Sequence, residues 1–409
     1  MLPEQAQKFM TQLLQMMLQH HASDLFISDD FPPAMKIHGK LTPVGQNKLN
    51  GEQTRAMAYA LMSEDERAKF EKELECNFAI SPPGIGRFRV NVFVQQEKVG
   101  MVLRTITTKI PDFDEMGLPV ILKDVVSAKR GLVLLVGGTG SGKSTTLAAM
   151  VDYRNRNSYG HIITIEDPVE YVHKSKNCLV THREVGRDTH NWFAALKNTL
   201  RQAPDVILIG EIRDKETMEY ALAFAETGHL CMGTLHANSS NQALERIVNF
   251  FPEERHPQLY MDLSLNMRGI VSQRLIPTVD GKGRCAAIEI MLNSPLIADL
   301  IFKGDIGAIK GIMAKSKELG MQTFDQALFE LYEAGKIGME DALRNADSLN
   351  ELRLKIKLES KRGKVEESAG AAASRLDSLS LIADEEPEEE ESGEGEAEGA
   401  EGAGKPAGG

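Results

Sequence analysis

The 409 residues, 42% of them hydrophobic, are enough for two domains with cores of their own and a tail. Four cysteines (Cys76, Cys178, Cys231 and Cys285) form no CxxC pair, which argues against a cysteine zinc site or a disulfide scaffold and fits a reducing cytoplasm. The formal net charge of −12 sits mostly in residues 361–409, where 14 acidic and 5 basic residues give −9, so the near-neutral body predicts no binding to nucleic acid.

Residues 3–21 carry Leu and Met at helical spacing and predict an amphipathic helix. No basic segment with an apolar stretch and a small-residue cleavage site opens the chain, and no run of about 18 apolar residues follows, so neither a signal peptide nor a membrane span is expected. The stretch GEQTRAMAYALMSEDERAKFEKEL reads as helix, and FRVNVFV (88–94) and GMVLRTI (100–106) as short strands joined by a polar turn. Together they predict a small α+β domain over 1–110. Residues 111–119, with two prolines, a glycine and several acids, read as an inter-domain linker. From 120 to 360 the pattern becomes α/β: GLVLLVG, HIITIE, VILIG and LCMGTL suit a parallel sheet buried on both faces, alternating with helical stretches such as NWFAALKNTLRQ and KETMEYALAFAE. Sequence from 256 to about 357 reads as mostly helical, with a hairpin around PTVDGKGR (277–284). Residues 361–409 are low-complexity Glu, Gly and Ala and predict a disordered acidic tail with one apolar island, SRLDSLSLI (374–382).

The strongest chemical signal is GGTGSGKS, Gly137 to Ser144, which fits G-x-x-x-x-G-K-[ST] between an apolar strand and a helix-compatible TTLAAMVDY. Backbone N–H groups from Gly138 to Thr145, including Thr139, Gly140, Ser141 and Gly142, would wrap the phosphates of ATP at a helix N-terminus. Lys143 would reach the β- and γ-phosphates, and the Ser144 hydroxyl would sit on Mg²⁺. P-loop hydrolysis also needs carboxylates near the water and the metal. VILIGE places Glu211 at a strand's C-terminal end, where open α/β sheets hold ligands. ITIEDPVEY places Glu166 and Asp167 at another, before a Pro168 that ends the ladder. The residues leave open which Glu is the general base; the expectation leans to Glu166 on water and Glu211 near the metal or γ-phosphate. His229 and His236 bracket LCMGTL, seven positions apart, so they face opposite ways and do not share a metal.

GGTGSGKS, TIEDPVEY, VILIGEIRD and TGHLCMGTLHAN resemble, in order and spacing, the Walker A, Asp box, Walker B and His box of the secretion and pilus ATPase superfamily. The resemblance runs from about residue 20 to about 350. It implies a RecA-like P-loop ATPase domain behind a smaller PAS-like N-terminal domain, assembled as a hexameric ring. It marks His229, and less firmly His236, as relays of nucleotide state. It also implies arginine fingers delivered across a subunit boundary: Arg89 in GRFRVNVF and Arg104 in VLRTI match the positions, with Arg201 in TLRQAPD as a third candidate.

The chain has no four-cysteine zinc loop, which favours the retraction branch, the PilT/PilU type IV pilus ATPases. SPLIADLIFKGD (294–305) stands where PilT-type members carry an arginine-bearing motif, and its departure makes the chain look PilU-type. The implied function is ATP hydrolysis that supports pilus retraction and twitching motility. The implied partners are further copies of the chain, a PilT-like ATPase and a platform protein of the inner membrane, with the chain cytoplasmic and peripheral at the pilus base. The alternative is an adaptor that binds nucleotide and docks onto a partner ATPase with little turnover of its own. A DNA- or protein-translocating ATPase is disfavoured by the absence of a basic surplus.

Overall fold

A computed structural model describes residues 2–37, 39–106 and 109–362. Residues up to Leu349 form one compact unit and those from Asn350 a second, of which the described part is essentially the end of the helix Leu349–Glu359. The expectations for the acidic tail and its apolar island lie outside the described residues.

The first unit holds two sheets, each with its own core. The N-terminal sheet comprises β1 (Asp24–Ile27), β2 (Ala34–Ile37), β3 (Lys40–Pro43), β4 (Glu75–Ile80), β5 (Arg87–Gln95) and β6 (Lys98–Ile106), antiparallel throughout in the order 3-2-1-6-5-4. Alternation in β5 buries Phe88, Val90 and Val92 while Arg87 and Arg89 face the other side. The buried face packs with Met10, Leu13, Leu14 and Met17 of the helix Pro3–Gln19. The helical stretch after β3 is two helices, Gly51–Leu61 and Glu64–Glu73, rather than one. Ser63 is the reason: its side chain accepts from the Glu66 N–H, and the Glu66 carboxylate accepts from the Ser63 N–H at 2.7 Å, a capping box that starts a new helix.

The second sheet comprises β7 (Gly131–Val136), β8 (Gly160–Glu166), β9 (Cys178–Glu184), β10 (Val206–Ile209), β11 (Leu230–Leu235), β12 (Met267–Pro277) and β13 (Arg284–Leu292), in the order 13-12-7-11-10-8-9. All are parallel except β13. Every residue of β7, β10 and β11 is buried, as expected of strands covered on both faces. The hairpin at 277–284 is present, but its strands run far beyond it. MRGIVSQRLIP is an eleven-residue strand paired with β7, not helix. Its polar members are satisfied inside the protein: Ser272 donates to Glu289 at 2.9 Å, and Gln273 accepts from Thr146 at 2.8 Å. Residues 111–119 dock onto this sheet's core through buried Phe113 and Leu118.

Candidate active site

β7 ends at Val136, the chain turns through Gly137–Gly142, and the helix Lys143–Asn157 begins. The turn needs glycine at two points. Gly142 has φ +87°, and a Cβ there would stand 2.8 Å from Gln273 Nε2. A Cβ on Gly137 would stand 2.4 Å from Ser141 Oγ and 2.6 Å from the Gln273 carbonyl. β12 is thus the wall against which the loop is pressed. The Ser141 hydroxyl is buried without a hydrogen-bond partner among the described residues. Lys143 donates to the carbonyls of Gly137 (2.8 Å) and Gly138 (2.9 Å). Burial pulls its pKa below the usual lysine value, and the charges of Glu211 and Glu170 oppose that. Thr145 shares a 3.0 Å hydrogen bond with Tyr171 across the helix start.

Beside this loop lies a cavity of about 290 Å³ whose wall includes Thr139, Gly140, Lys143 and Ser144 from the loop and helix. Because β8 and β10 are parallel to β7, their C-terminal ends bring Glu166 and Glu211 into the same wall, with Asp167 and Glu170 beyond Glu166. Glu211 has both oxygens engaged: Arg213 Nε donates to Oε2 at 2.7 Å, and His236 Nε2 lies 3.2 Å from Oε1. Glu166 is differently placed. Burial pushes its pKa up to about 7, while the nearby Thr164 hydroxyl and a 3.3 Å hydrogen bond from the Glu170 N–H hold it down.

Arg89 also lines the cavity, within its own chain rather than only across a boundary. Its cross-strand partner is Arg104, an opposition of like charges that costs a sheet stability. Arg104 Nε donates to Asp24 at 2.8 Å, and its side chain is exposed and outside the cavity. Two other expected residues lie outside this cavity. Arg201 lies in the turn before β10 and donates to Asn198 at 3.3 Å. His229 precedes β11, its Nδ1 within hydrogen-bond distance of Phe224 O (3.2 Å) and Thr227 Oγ1 (3.1 Å). A strand advances about 3.3 Å per residue, so β11 carries His229 roughly 20 Å from His236, which does line the cavity. Both residues stand at the N-terminal end of the sheet because they come before a strand whose other end meets the loop.

Several residues of the site were not expected. Tyr171, His173 and Trp192 complete the cavity wall. Arg87 forms an ion pair with Glu184, linking β5 of one sheet to β9 of the other, and the same Glu184 Oε2 accepts the Val169 N–H at 3.0 Å. Arg187 adds a second tie, donating to the Ala79 carbonyl at 2.7 Å. Arg87 is visible on the polar face of its strand in the sequence, but its partner lies 97 residues away, on a strand without an apolar run.

The sequence profile of the family described as Type II/IV secretion system protein matches residues 4–299. The type IV pilus ATPase PilU of Pseudomonas aeruginosa is 58% identical over 92% of this chain and 97% of its own length. The type IV pilus retractation ATPase PilT of the same organism is 44% identical over 82% of this chain and 97% of its own. Among solved structures, the crystal structure of the pilus retraction motor PilT with bound ADP superposes with a TM-score of 0.78 at 40% identity. It covers 83% of this chain and 98% of that one.

Proposed function

The chain belongs to the Type II/IV secretion system protein family and, within it, to the PilT/PilU type IV pilus ATPases, and from that premise we propose that it works as a ring-forming accessory motor in pilus retraction. It is an ATPase with a RecA-like domain, and the convergence of the Lys143 loop, Glu166, Glu211 and Arg89 on one cavity is the observation that carries the reading.

The geometry supports the following roles. Loop amides from Gly138 to Thr145 cradle the phosphates, and Lys143 leaves the Gly137 and Gly138 carbonyls for phosphate oxygens. Glu166, with no arginine bonded to it and a pKa near neutrality, is the general base that takes a proton from water. Glu211, held by Arg213 and His236, reports on the γ-phosphate through those two partners. Mg²⁺ suits the donors present: the Ser144 hydroxyl with Glu211 beside it, and no cluster of three or more acidic, His or Cys side chains among the described residues to form an all-protein cage. When bound, it neutralises phosphate charge. Arg89 stabilises charge on the transferring phosphoryl group.

The assembly reading draws on what stands outside the cavity. Arg104 on the antiparallel sheet and Arg201 before β10 present exposed side chains away from the chain's own phosphate site, open to a neighbouring subunit, and His229 lies with Arg201 at the N-terminal end of the parallel sheet. We divide the subunit at residue 110, with 111–119 as the linker and the ATPase domain running from 120 to 360. Neighbouring copies, a PilT-like ATPase and an inner-membrane platform protein are the expected partners at the cytoplasmic base of the pilus, with twitching motility as the outcome. Identity to PilU over nearly the whole chain supports the accessory role. Among the described residues no helix is long and apolar enough to cross a membrane.

Phosphate release from the purified full chain tests the core of this. Lys143→Ala should abolish turnover, and native mass measurement with MgATP should give six copies. Wild-type turnover in Lys143→Ala would refute the site, and tight ATP binding with no turnover at any concentration would favour the adaptor reading.

A further inference from the structure

β12 runs beside the phosphate loop without lining the cavity, and the proposed chemistry leaves its polar residues unused. Ser272 is paired with Val136, the last residue of β7, so Gln273 stands where the loop leaves that strand. The Gln273 side chain is buried. Its Oε1 accepts a 2.8 Å hydrogen bond from the hydroxyl of Thr146, itself fully buried in the first turn of the helix Lys143–Asn157. A threonine hydroxyl both donates and accepts, so the bond stands for either orientation of the amide. The amide's Nε2 would stand 2.8 Å from a Cβ on Gly142, so the side chain lies against the residue at which loop becomes helix. Thr146 has a local alternative. Thr11 and Thr199, in other helices, donate their hydroxyls to the carbonyl four residues back, at 2.8 and 2.9 Å. The matching carbonyl for Thr146 is that of Gly142, which accepts the Thr146 N–H at 3.0 Å. The Thr146 hydroxyl instead reaches out of its helix to a strand 127 residues on. That strand is anchored on both sides of Gln273. Ser272 donates to Glu289 at 2.9 Å, and the same carboxylate oxygen accepts from the Ser240 N–H at 2.7 Å and the Ser240 hydroxyl at 2.8 Å. Arg274 donates to Asp347 at 2.7 Å and to the Asn238 carbonyl at 3.1 Å, with its guanidinium 3.8 Å from the centre of the Phe324 ring.

We propose that Gln273 is a positioning residue for nucleotide binding. Its amide, bonded to Thr146 and lying against Gly142, holds the join between loop and helix in the shape that offers the backbone N–H groups of Lys143, Ser144 and Thr145 to phosphate. This rests on the reading of Gly138 to Thr145 as the phosphate cradle. A glutamine that served the core alone would leave nucleotide affinity untouched when its hydrogen bond is removed. One that shapes the loop changes that affinity and spares the chemical step at Glu166. The close approach of the Gln273 carbonyl to Gly137 belongs to the backbone and survives substitution, so side-chain variants isolate the amide.

Calorimetric ADP affinity and steady-state phosphate release, measured on the full chain with Mg²⁺, test it. Gln273→Met keeps the side chain's length and removes the amide; Thr146→Val keeps the shape and removes the hydroxyl. Each should weaken ADP binding about tenfold, the value of one buried hydrogen bond, and raise KM for ATP. At saturating ATP, kcat should stay within about threefold of wild type, because the base is untouched. Thr146→Ser keeps the hydroxyl and should bind ADP within about twofold of wild type. The deciding comparison is the double variant, which should bind ADP no more weakly than the weaker of the two singles, because both remove one bond. Wild-type ADP affinity in both singles, whatever their Tm, or a double variant about a hundredfold weaker than wild type, overturns the positioning role only. Should Gln273→Met not fold, Thr146→Val against Thr146→Ser decides alone, and equal ADP affinity in those two overturns the role. Unchanged ADP affinity in Lys143→Ala overturns the phosphate site and the positioning role with it.

Discussion

The two ends of the parallel sheet are built from the same strands and do different work. At the C-terminal end the strand tips gather the phosphate loop, Glu166, Glu211 and His236 around one cavity. At the N-terminal end Arg201 and His229 are held by local partners, Asn198 and the Phe224–Thr227 turn. Parallel strands make this asymmetry compulsory: side chains that follow strands converge, and side chains that precede them converge elsewhere, however close they are in sequence to a motif. Proximity to a motif therefore says little until the end of the strand is specified.

Substitutions at the two ends put the contrast at risk. The largest effect belongs to Glu166→Gln, which should cut kcat by about 10²–10⁴ in phosphate-release assays while ADP still binds, the range expected for loss of a general base. Next is Arg87→Ala. Stranding the Glu184 carboxylate, whose side chain is only 7% exposed, should cost about 3–5 kcal/mol in denaturant unfolding. A smaller effect follows from pH. With a pKa near 7, Glu166 is the working base only when deprotonated, so kcat should fall as pH drops from 8 to 6 with a midpoint near 7. The same raised pKa means the folded state holds this proton more tightly than the unfolded chain. The stability it contributes is complete below the ordinary carboxylate range and is lost as pH rises through about 7. Glu166→Gln should therefore gain Tm relative to wild type between pH 5 and pH 8, and a constant difference would contradict the burial. The smallest effect is expected at the far end: His229→Ala and Arg201→Ala should leave ADP affinity within about twofold of wild type by calorimetry. A tenfold loss in either would show that the two ends are not separate.

Much of the C-terminal end is legible in the sequence, because β7, β8 and β10 are largely apolar runs with a glycine or a carboxylate at their ends. The order of strands is not. β11 lies between β7 and β10, and nothing local in LCMGTL announces that. β12 does not read as a strand because Arg268, Ser272, Gln273 and Arg274 interrupt its apolar residues. Their partners, such as Glu289 and Thr146, are supplied by tertiary structure. β9 is hidden as an edge strand with charged and polar members. The place of Arg201 and His229 is legible too, since both precede their strands and the pattern of parallel strands fixes which end carries ligands. Glu184 is not legible that way, for it depends on a cross-sheet neighbour.

Glu184 Oε2 has two attachments, the guanidinium of Arg87 on the antiparallel sheet and the amide of Val169 three residues after Glu166. A single atom thus serves as the axle between a lever and the loop that carries the proposed base. Any swing of the lever that withdraws Arg87 must either drag that atom off Val169 or abandon a charge in a nearly dry pocket, so the antiparallel sheet cannot tilt freely without the hydrolytic loop registering it.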